Sequence, residues 1–234
     1  MNKHDHIRAV IFDIDGTLFD TLPTLAAAAN EVLMATGLRA IPAKALRPAL
    51  SAGLGHMFRH ALALQNPAPN ADVAQNLEVN FKAQYYKRWL SKASPYAETA
   101  NLITTLQVSG LRLGVCTNRD RASTELLLQN ASLRPCFEVL VGLGDTPLPK
   151  PAADPLLLAI SAMGLSPAEA LFVGDSIVDA RCAQAAGVRF AAHSAGYADQ
   201  ATDLLPHVLH FDSYSQLKPW VLERSAPMQE SSHG

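Results

Sequence analysis

Cysteine is scarce in this 234-residue chain. Cys116, Cys136 and Cys182 are odd in number and form no CxxC pair, which argues against a disulfide frame or a zinc knuckle. No apolar run approaches the ~20 residues that a membrane-spanning helix needs. The opening Met1-Asn2-Lys3-His4-Asp5-His6 lacks the apolar centre of a signal peptide. An excess of one charge is also missing: 19 Lys and Arg against 21 Asp and Glu leave a formal net charge of −2. No basic face for nucleic acid is therefore expected. Internal repeats and low-complexity tracts are absent too. What remains is a globular chain, 49% hydrophobic and 17% charged, with ample material for a core. It is expected in the cytoplasm, with no nucleic-acid or membrane partner.

The chain opens on a strand that stops at two acids. Ile7, Val10, Ile11 and Phe12 read as a buried strand. Asp13 and Asp15 follow, two residues apart, so on an extended backbone they leave on one face. Gly16 permits a sharp turn, and Thr17 adds a hydroxyl. Two carboxylates on one buried face repel each other unless a cation intervenes. The plainer alternative is an Asx-type turn with both acids in water.

Beyond that strand, residues 21–93 read as helix. A start lies at Asp20-Thr21-Leu22-Pro23 and a stop at Gly37. Helices over 42–50 and 56–64 are separated by the glycine-containing Ser51-Ala52-Gly53-Leu54-Gly55. A long helix follows, in which Val73, Leu77, Phe81, Tyr85 and Trp89 step by four, the spacing of a packing stripe. From Ser94-Pro95 the texture changes. Strands are expected at 111–116, 138–141, 171–173, 188–192 and 207–211. Helices are expected at 97–108, 124–130, 154–163, after Asp175 through Ala186, and at 214–222. Such alternation means a parallel sheet with crossover helices, a doubly wound α/β fold. The predicted organisation is an α/β core of residues 1–20 and 94–224, an inserted helical domain of 21–93, and a frayed polar tail of 225–234.

In an open parallel sheet, ligands gather beyond the carboxyl ends of the strands. Asp13 and Asp15, Thr117 and Asn118, Lys150, and Asp175 with Asp179 all fall at such ends. Asp175 and Asp179 alone could be acids favoured by a helix dipole. Together with Asp13 and Asp15 they put four carboxylates at one sheet edge, hard oxygen donors that suit Mg²⁺. Lys150 would balance them. A carboxylate about 4 Å from a phosphate oxygen is repelled by about 4 kcal/mol at an effective dielectric of ~20. An aspartate attacking phosphorus therefore needs both a metal and a lysine. Thr117 and nearby backbone N–H groups would supply donors to the phosphoryl oxygens.

In order and context, Asp13-Ile14-Asp15-Gly16-Thr17, Thr117-Asn118, Lys150-Pro151 and Gly174-Asp175-Ser176-Ile177-Val178-Asp179 resemble the four motifs of the haloacid dehalogenase superfamily. The helical insert is similar to that superfamily's α-helical cap. Gly144-Asp145-Thr146-Pro147, Asp154-Pro155-Leu156-Leu157-Leu158 and Phe172-Val173-Gly174-Asp175-Ser176 look most like its phosphoglycolate phosphatase group. The resemblance implies a Rossmann-like core and a phosphomonoester hydrolase acting on phosphoglycolate or a sugar phosphate. Asp13 would be the nucleophile and Asp15 the general acid, then base. Thr117, Asn118 and Lys150 would hold phosphate. Mg²⁺ would sit on Asp13, the backbone carbonyl of Asp15, Asp175 and, directly or through the others, Asp179. An Asp at position 15 favours a phosphatase or phosphomutase over a dehalogenase. One departure stands out: the chain reads Lys150-Pro151-Ala152-Ala153 where the family often has a further proline.

The insert is expected to select the substrate. Ser51 to Gly55, including Gly53 and Gly55, resembles the family's cap loop that reaches over the site. Its amides could bind an anion, or it could be a plain interhelix turn. Arg47 and Arg59 flank it and could contact substrate. His56 and His60, spaced by four, read as an exposed helix face rather than a zinc pair. His193 and Tyr197 follow a strand near the same edge and are further candidates. Two other readings stay open: a sugar phosphomutase of the same fold, and a non-catalytic protein that binds phosphometabolites or a partner.

Overall fold

A computed structural model describes residues 6–198 and 204–225. Its centre is a six-stranded sheet in the order β5-β4-β1-β6-β7-β8, with every neighbouring pair parallel. β1 (Ala9–Phe12) lies in the middle, between β4 (Arg112–Asp120) and β6 (Ala170–Gly174). All four residues of β1 and all five of β6 are buried, as apolar strands covered on both faces must be. β5 (Val139–Leu143), β7 (Arg189–His193) and β8 (Leu209–Phe211) complete the sheet. Five helices belong to this layer: α5 (Thr99–Val108), α6 (Arg121–Asn130), α7 (Asp154–Ala162), α8 (Ile177–Ala186) and α9 (Tyr214–Arg224). The chain runs outward from β1 to β4 and β5, then returns to the far side of β1 at β6. That reversal leaves a crevice beside the end of β1.

Four α-helices stand between Asp20 and Ser94 in sequence: α1 (Leu22–Ala35), α2 (Ala43–Leu50), α3 (Leu54–Ala63) and α4 (Ala71–Gln84). The insert leaves and re-enters through a two-stranded antiparallel ribbon. In it β2 (Phe19–Asp20) pairs with β3 (Ser94–Pro95), Phe19 opposite Pro95 and Asp20 opposite Ser94. Among the described residues no helix is long and apolar enough to cross a membrane.

Three local differences from expectation have physical reasons. The strand expected to stop at Thr117-Asn118 continues to Asp120, with its register against β5 shifting between Cys116 and Asp120. Such a bulge re-aims side chains. The four-step stripe holds for Leu77, Phe81 and Tyr85, which are buried, with Phe81 stacked on Phe58 at 4.5 Å. Val73 is exposed. Beyond Gln84 the chain makes a π-helical turn, Tyr85–Trp89, which breaks the four-residue phase, and the Trp89 indole N–H reaches Glu31 (2.8 Å). At the carboxyl end, Ser225 forms an isolated bridge with Ile7. The rest of the expected tail, 226–234, lies outside the described residues.

Candidate active site

The ends of β1, β4 and β6 and the loop bearing Lys150 converge on one buried cluster. Asp13, Asp175 and Asp179 each offer a carboxylate oxygen, and these oxygens all lie within 4.8 Å of one another. Lys150 Nζ donates to Asp179 Oδ1 (2.6 Å) and lies 2.9 Å from Asp13 Oδ1. The second contact is an ion pair, and among the described residues buried Asp13 Oδ1 has no other polar partner. Burial above all, then repulsion from Asp179 and Asp15, pushes the Asp13 carboxyl up to about 7, although Lys150 pulls the other way. Asp175 is likewise held well above the carboxylate range by burial and its two acidic neighbours. Burial disfavours the Lys150 ammonium, but Asp13 and Asp179 more than offset it and keep its pKa well above normal.

Each member is held by local chemistry. Asp175 accepts from the Thr17 hydroxyl (3.0 Å) and from the Tyr197 backbone N–H (2.6 Å). Gly16 (φ +83°) passes so close to Asp175 that an added Cβ would lie 2.1 Å from its Oδ2. Only glycine closes the turn there. Asp179 Oδ2 accepts from the Ser176 hydroxyl (2.6 Å) and N–H (3.1 Å), closing a capping box at the start of α8. With Oδ1 on Lys150, Asp179 organises the cluster more than it offers free oxygens. Asn118 braces the lysine loop: its Oδ1 accepts from Lys150 N–H and its Nδ2 donates to the Lys150 carbonyl, both at 3.0 Å. Buried Thr117 accepts from Arg119 N–H (3.2 Å).

The Asp15 carboxylate stands apart from the three-acid cluster. It accepts a forked pair from Arg119, Nε to Oδ2 (3.0 Å) and Nη2 to Oδ1 (2.6 Å), and a bond from the Thr21 hydroxyl (2.5 Å). Its carboxylate is not among the three that lie within 4.8 Å of one another. Neither Arg119 nor Thr21 was foreseen. Thr21 reads in sequence as a helix cap, and it is the N-cap of α1, but its hydroxyl caps nothing and turns to Asp15 instead. Arg119 carries no sequence signal beyond being a charge inside a strand that runs on past its expected end.

From the insert, Ser51 and Gly53 reach the core. The Ser51 carbonyl accepts from Asn118 Nδ2 (3.0 Å). Gly53 (φ +97°) sits where a Cβ would come within 2.9 Å of the Asn118 carbonyl oxygen. Gly55 does not join them; it faces Glu78, Lys82 and Arg59 inside the insert, and Arg59 pairs with Glu78 (2.7 Å). Arg47 is also committed, donating to the carbonyls of Gly196, Tyr197 and Ala198 (2.5–2.9 Å). His60 Nε2 faces the Ala45 carbonyl (3.1 Å). His193 donates from Nδ1 to the Gly16 carbonyl (2.9 Å), packed among Tyr96, Phe211 and Tyr214, and burial holds its pKa down. Tyr197 accepts from Leu22 N–H (2.8 Å) and donates to Asp20 (2.9 Å). Both therefore support the acidic turn and the neck. A cavity of about 90 Å³ opens between Asp15, Asp175, Ser51, Pro48, Ile177 and Tyr197.

Comparison with known proteins agrees with this geometry. The family model for haloacid dehalogenase-like hydrolases matches residues 10–193. The chain is 33% identical over 215 residues to a phosphoglycolate phosphatase of Cereibacter sphaeroides, covering 92% of this chain and 97% of that one. It is 30% identical over 251 aligned positions to the phosphoglycolate phosphatase of Escherichia coli K12, covering both chains fully. Its fold superposes with a TM-score of 0.85 on a predicted phosphoglycolate phosphatase from Haemophilus somnus 129PT, at 23% identity and covering 90% of this chain and 96% of that one. With the acidic turn, the lysine and the second acidic pair all at one sheet edge, the chain belongs to the haloacid dehalogenase-like hydrolases.

Proposed function

We propose that the protein is a Mg²⁺-dependent phosphomonoesterase with phosphoglycolate as its first substrate, and that residues 21–93 act as a cap that sets its preference. One observation carries the reading: three buried carboxylates lie within 4.8 Å of one another with one lysine, which pairs with two of them. Three acids against one ammonium would leave an excess of two negative charges once all three ionise, which burial resists by raising the pKa values of Asp13 and Asp175. A divalent cation with hard oxygen preferences offsets that excess. Asp13 and Asp175 would hold it, with Asp179 and Ser176 keeping the donors in place. Bound there, Mg²⁺ supplies charge neutralisation between nucleophile and phosphate.

The chain's own groups account for the rest. Asp13 attacks phosphorus, its new P–O bond forming as the ester P–O bond breaks, while Asp15 gives a proton to the departing alkoxide. Asp15 then takes a proton from water as that water attacks the aspartyl phosphate, freeing inorganic phosphate and restoring Asp13. Lys150 and Thr117 hold the phosphoryl oxygens. The small cavity beside Asp15 supports a compact leaving group over a nucleotide.

The test is phosphate release, with and without Mg²⁺, over phosphoglycolate, sugar phosphates, nucleotides and pyrophosphate. Metal-dependent turnover greatest on phosphoglycolate is expected. Turnover that needs an activating bisphosphate and yields little free phosphate would replace this reading with a phosphomutase.

A further inference from the structure

Arg119 is the largest side chain without exposed surface among the described residues, and the expected family motifs give it no task. Burying a guanidinium is costly unless its partners compensate for the lost hydration. Burial here disfavours its charge, but Asp15 offsets this and holds its pKa above the ordinary arginine range. The forked pair to Asp15 fixes a carboxylate in plane as well as in position. Asp15 also lines the cavity. Arg119 thus stands behind the carboxylate on the dry side while Asp15 faces the space where a leaving group would depart.

The guanidinium is itself held by the insert. Its Nη2 donates to the Tyr85 hydroxyl (3.2 Å), and the Tyr85 ring lies 5.4 Å from its central carbon. The neighbouring Tyr86 hydroxyl donates to Asp120 (2.5 Å). Both tyrosines belong to the π-helical turn, so its wider phase sets two successive rings against two successive residues of β4. Among the described residues Nη1 has no hydrogen-bond partner, and the group's hydrogen bonds go to Asp15 and Tyr85.

We propose that Arg119 is the positioning residue of the acid–base carboxylate: it fixes Asp15 at the cavity wall, and Tyr85 of the insert fixes Arg119. The proposal rests on Asp15 being the general acid, and proton transfer of that kind works only within hydrogen-bond reach. A misplaced acid harms substrates whose leaving group must be protonated and spares those whose leaving group departs as a stable anion.

The experiment measures kcat/KM, which reports the first chemical step, on an alkyl phosphate and on p-nitrophenyl phosphate. Wild type, D15N, R119A, R119K, R119Q and Y85F are compared, with folding checked by circular dichroism. R119A is expected to lose about 100-fold on the alkyl ester and less than about 10-fold on the aryl ester, within the usual range for a general acid. R119K recovers part of the loss by restoring charge without the fork, and Y85F shows the same bias at about 3-fold. The pH profile on the alkyl ester shifts in R119K. Equal losses on both esters in R119K and R119Q, with an unmoved profile, would overturn the assignment even if R119A fails to fold. D15N separates the two layers. If D15N itself spares neither ester, the acid–base reading of Asp15 fails; if D15N discriminates and R119K does not, only the role of Arg119 fails.

Discussion

The two halves of the site are built on different terms. On the core side, the functional groups sit at strand ends whose positions a parallel sheet imposes, and they are locked by one another. Asp13, Asp175, Asp179 and Lys150 are buried and interlinked within a few ångströms. On the insert side, few groups reach the core: the Ser51 carbonyl, the close approach of Gly53, the Arg47 latch on three carbonyls, and the Tyr85 and Tyr86 hydroxyls. The core half is electrostatically strained and geometrically fixed. The insert half meets the core through dispersed polar contacts rather than one interlinked cluster. A reaction common to a family belongs on the first kind of surface, and a choice of substrate on the second.

Breaking the core side should give the largest effect. Asp13→Asn removes nucleophile and charge together, and turnover should fall by at least about four orders of magnitude. Because Asp13 is pushed up to about 7 by burial and like charge, its ionisation costs the metal-free fold stability. D13N should therefore melt several degrees higher than wild type in EDTA, each kcal/mol being worth roughly 2–4 °C in a chain of this size. An inactive D13N that melts lower would contradict the strain.

The same strain fixes a pH dependence of intermediate size. A carboxyl raised in the fold contributes stability fully present below its ordinary value of 3.8 and lost as pH rises through about 7. Metal-free wild type should lose thermal stability over that window, and saturating Mg²⁺ should restore it. Mg²⁺ affinity by calorimetry should climb with pH into the neutral range, since proton and ion compete for Asp13. D13N should flatten both trends.

The insert side should respond to two glycines differently. Gly53→Ala meets the Asn118 carbonyl at 2.9 Å in a left-handed backbone. It should lower kcat/KM about tenfold and reorder substrate preference, with a stability cost of about 1 kcal/mol. Gly55→Ala meets the Glu78 carboxylate instead. It should change melting temperature without reordering substrates. Equal behaviour of the two would erase the distinction between loop and insert interior.

Smallest is Arg47→Ala. Losing its three bonds to Gly196, Tyr197 and Ala198 should raise KM a few-fold and leave kcat within about twofold, read from steady-state kinetics.

Much of the core was legible because its signals are short-range. An apolar run that ends in Asp-x-Asp-Gly reports a strand and a candidate site, and the parallel sheet follows from the alternation of strands and helices. The insert was legible only as helices. Gly53 precedes α3 and Gly55 lies in its first turn, yet one faces Asn118 and the other Glu78, and nothing in their neighbours' identities tells them apart. Tyr85 fitted a packing stripe, and its hydroxyl reaches Arg119 only because the helix changes phase after Gln84. Arg119 depended on a register shift in β4. Long-range landings of that kind are set by tertiary structure, not by local pattern.

The neck ribbon has a consequence for how such a chain tolerates change. Because β2 and β3 pair with each other beside the sheet, everything from 21 to 93 is, to the core, one loop whose ends are already joined. Closure entropy grows only logarithmically with length, about 0.6 kcal/mol for each doubling. The sheet is therefore nearly indifferent to how much polypeptide hangs from that ribbon. Segments could be lengthened there at little loop-closure penalty, provided that the contacts from Thr21, Ser51 and Tyr85 to the core are kept.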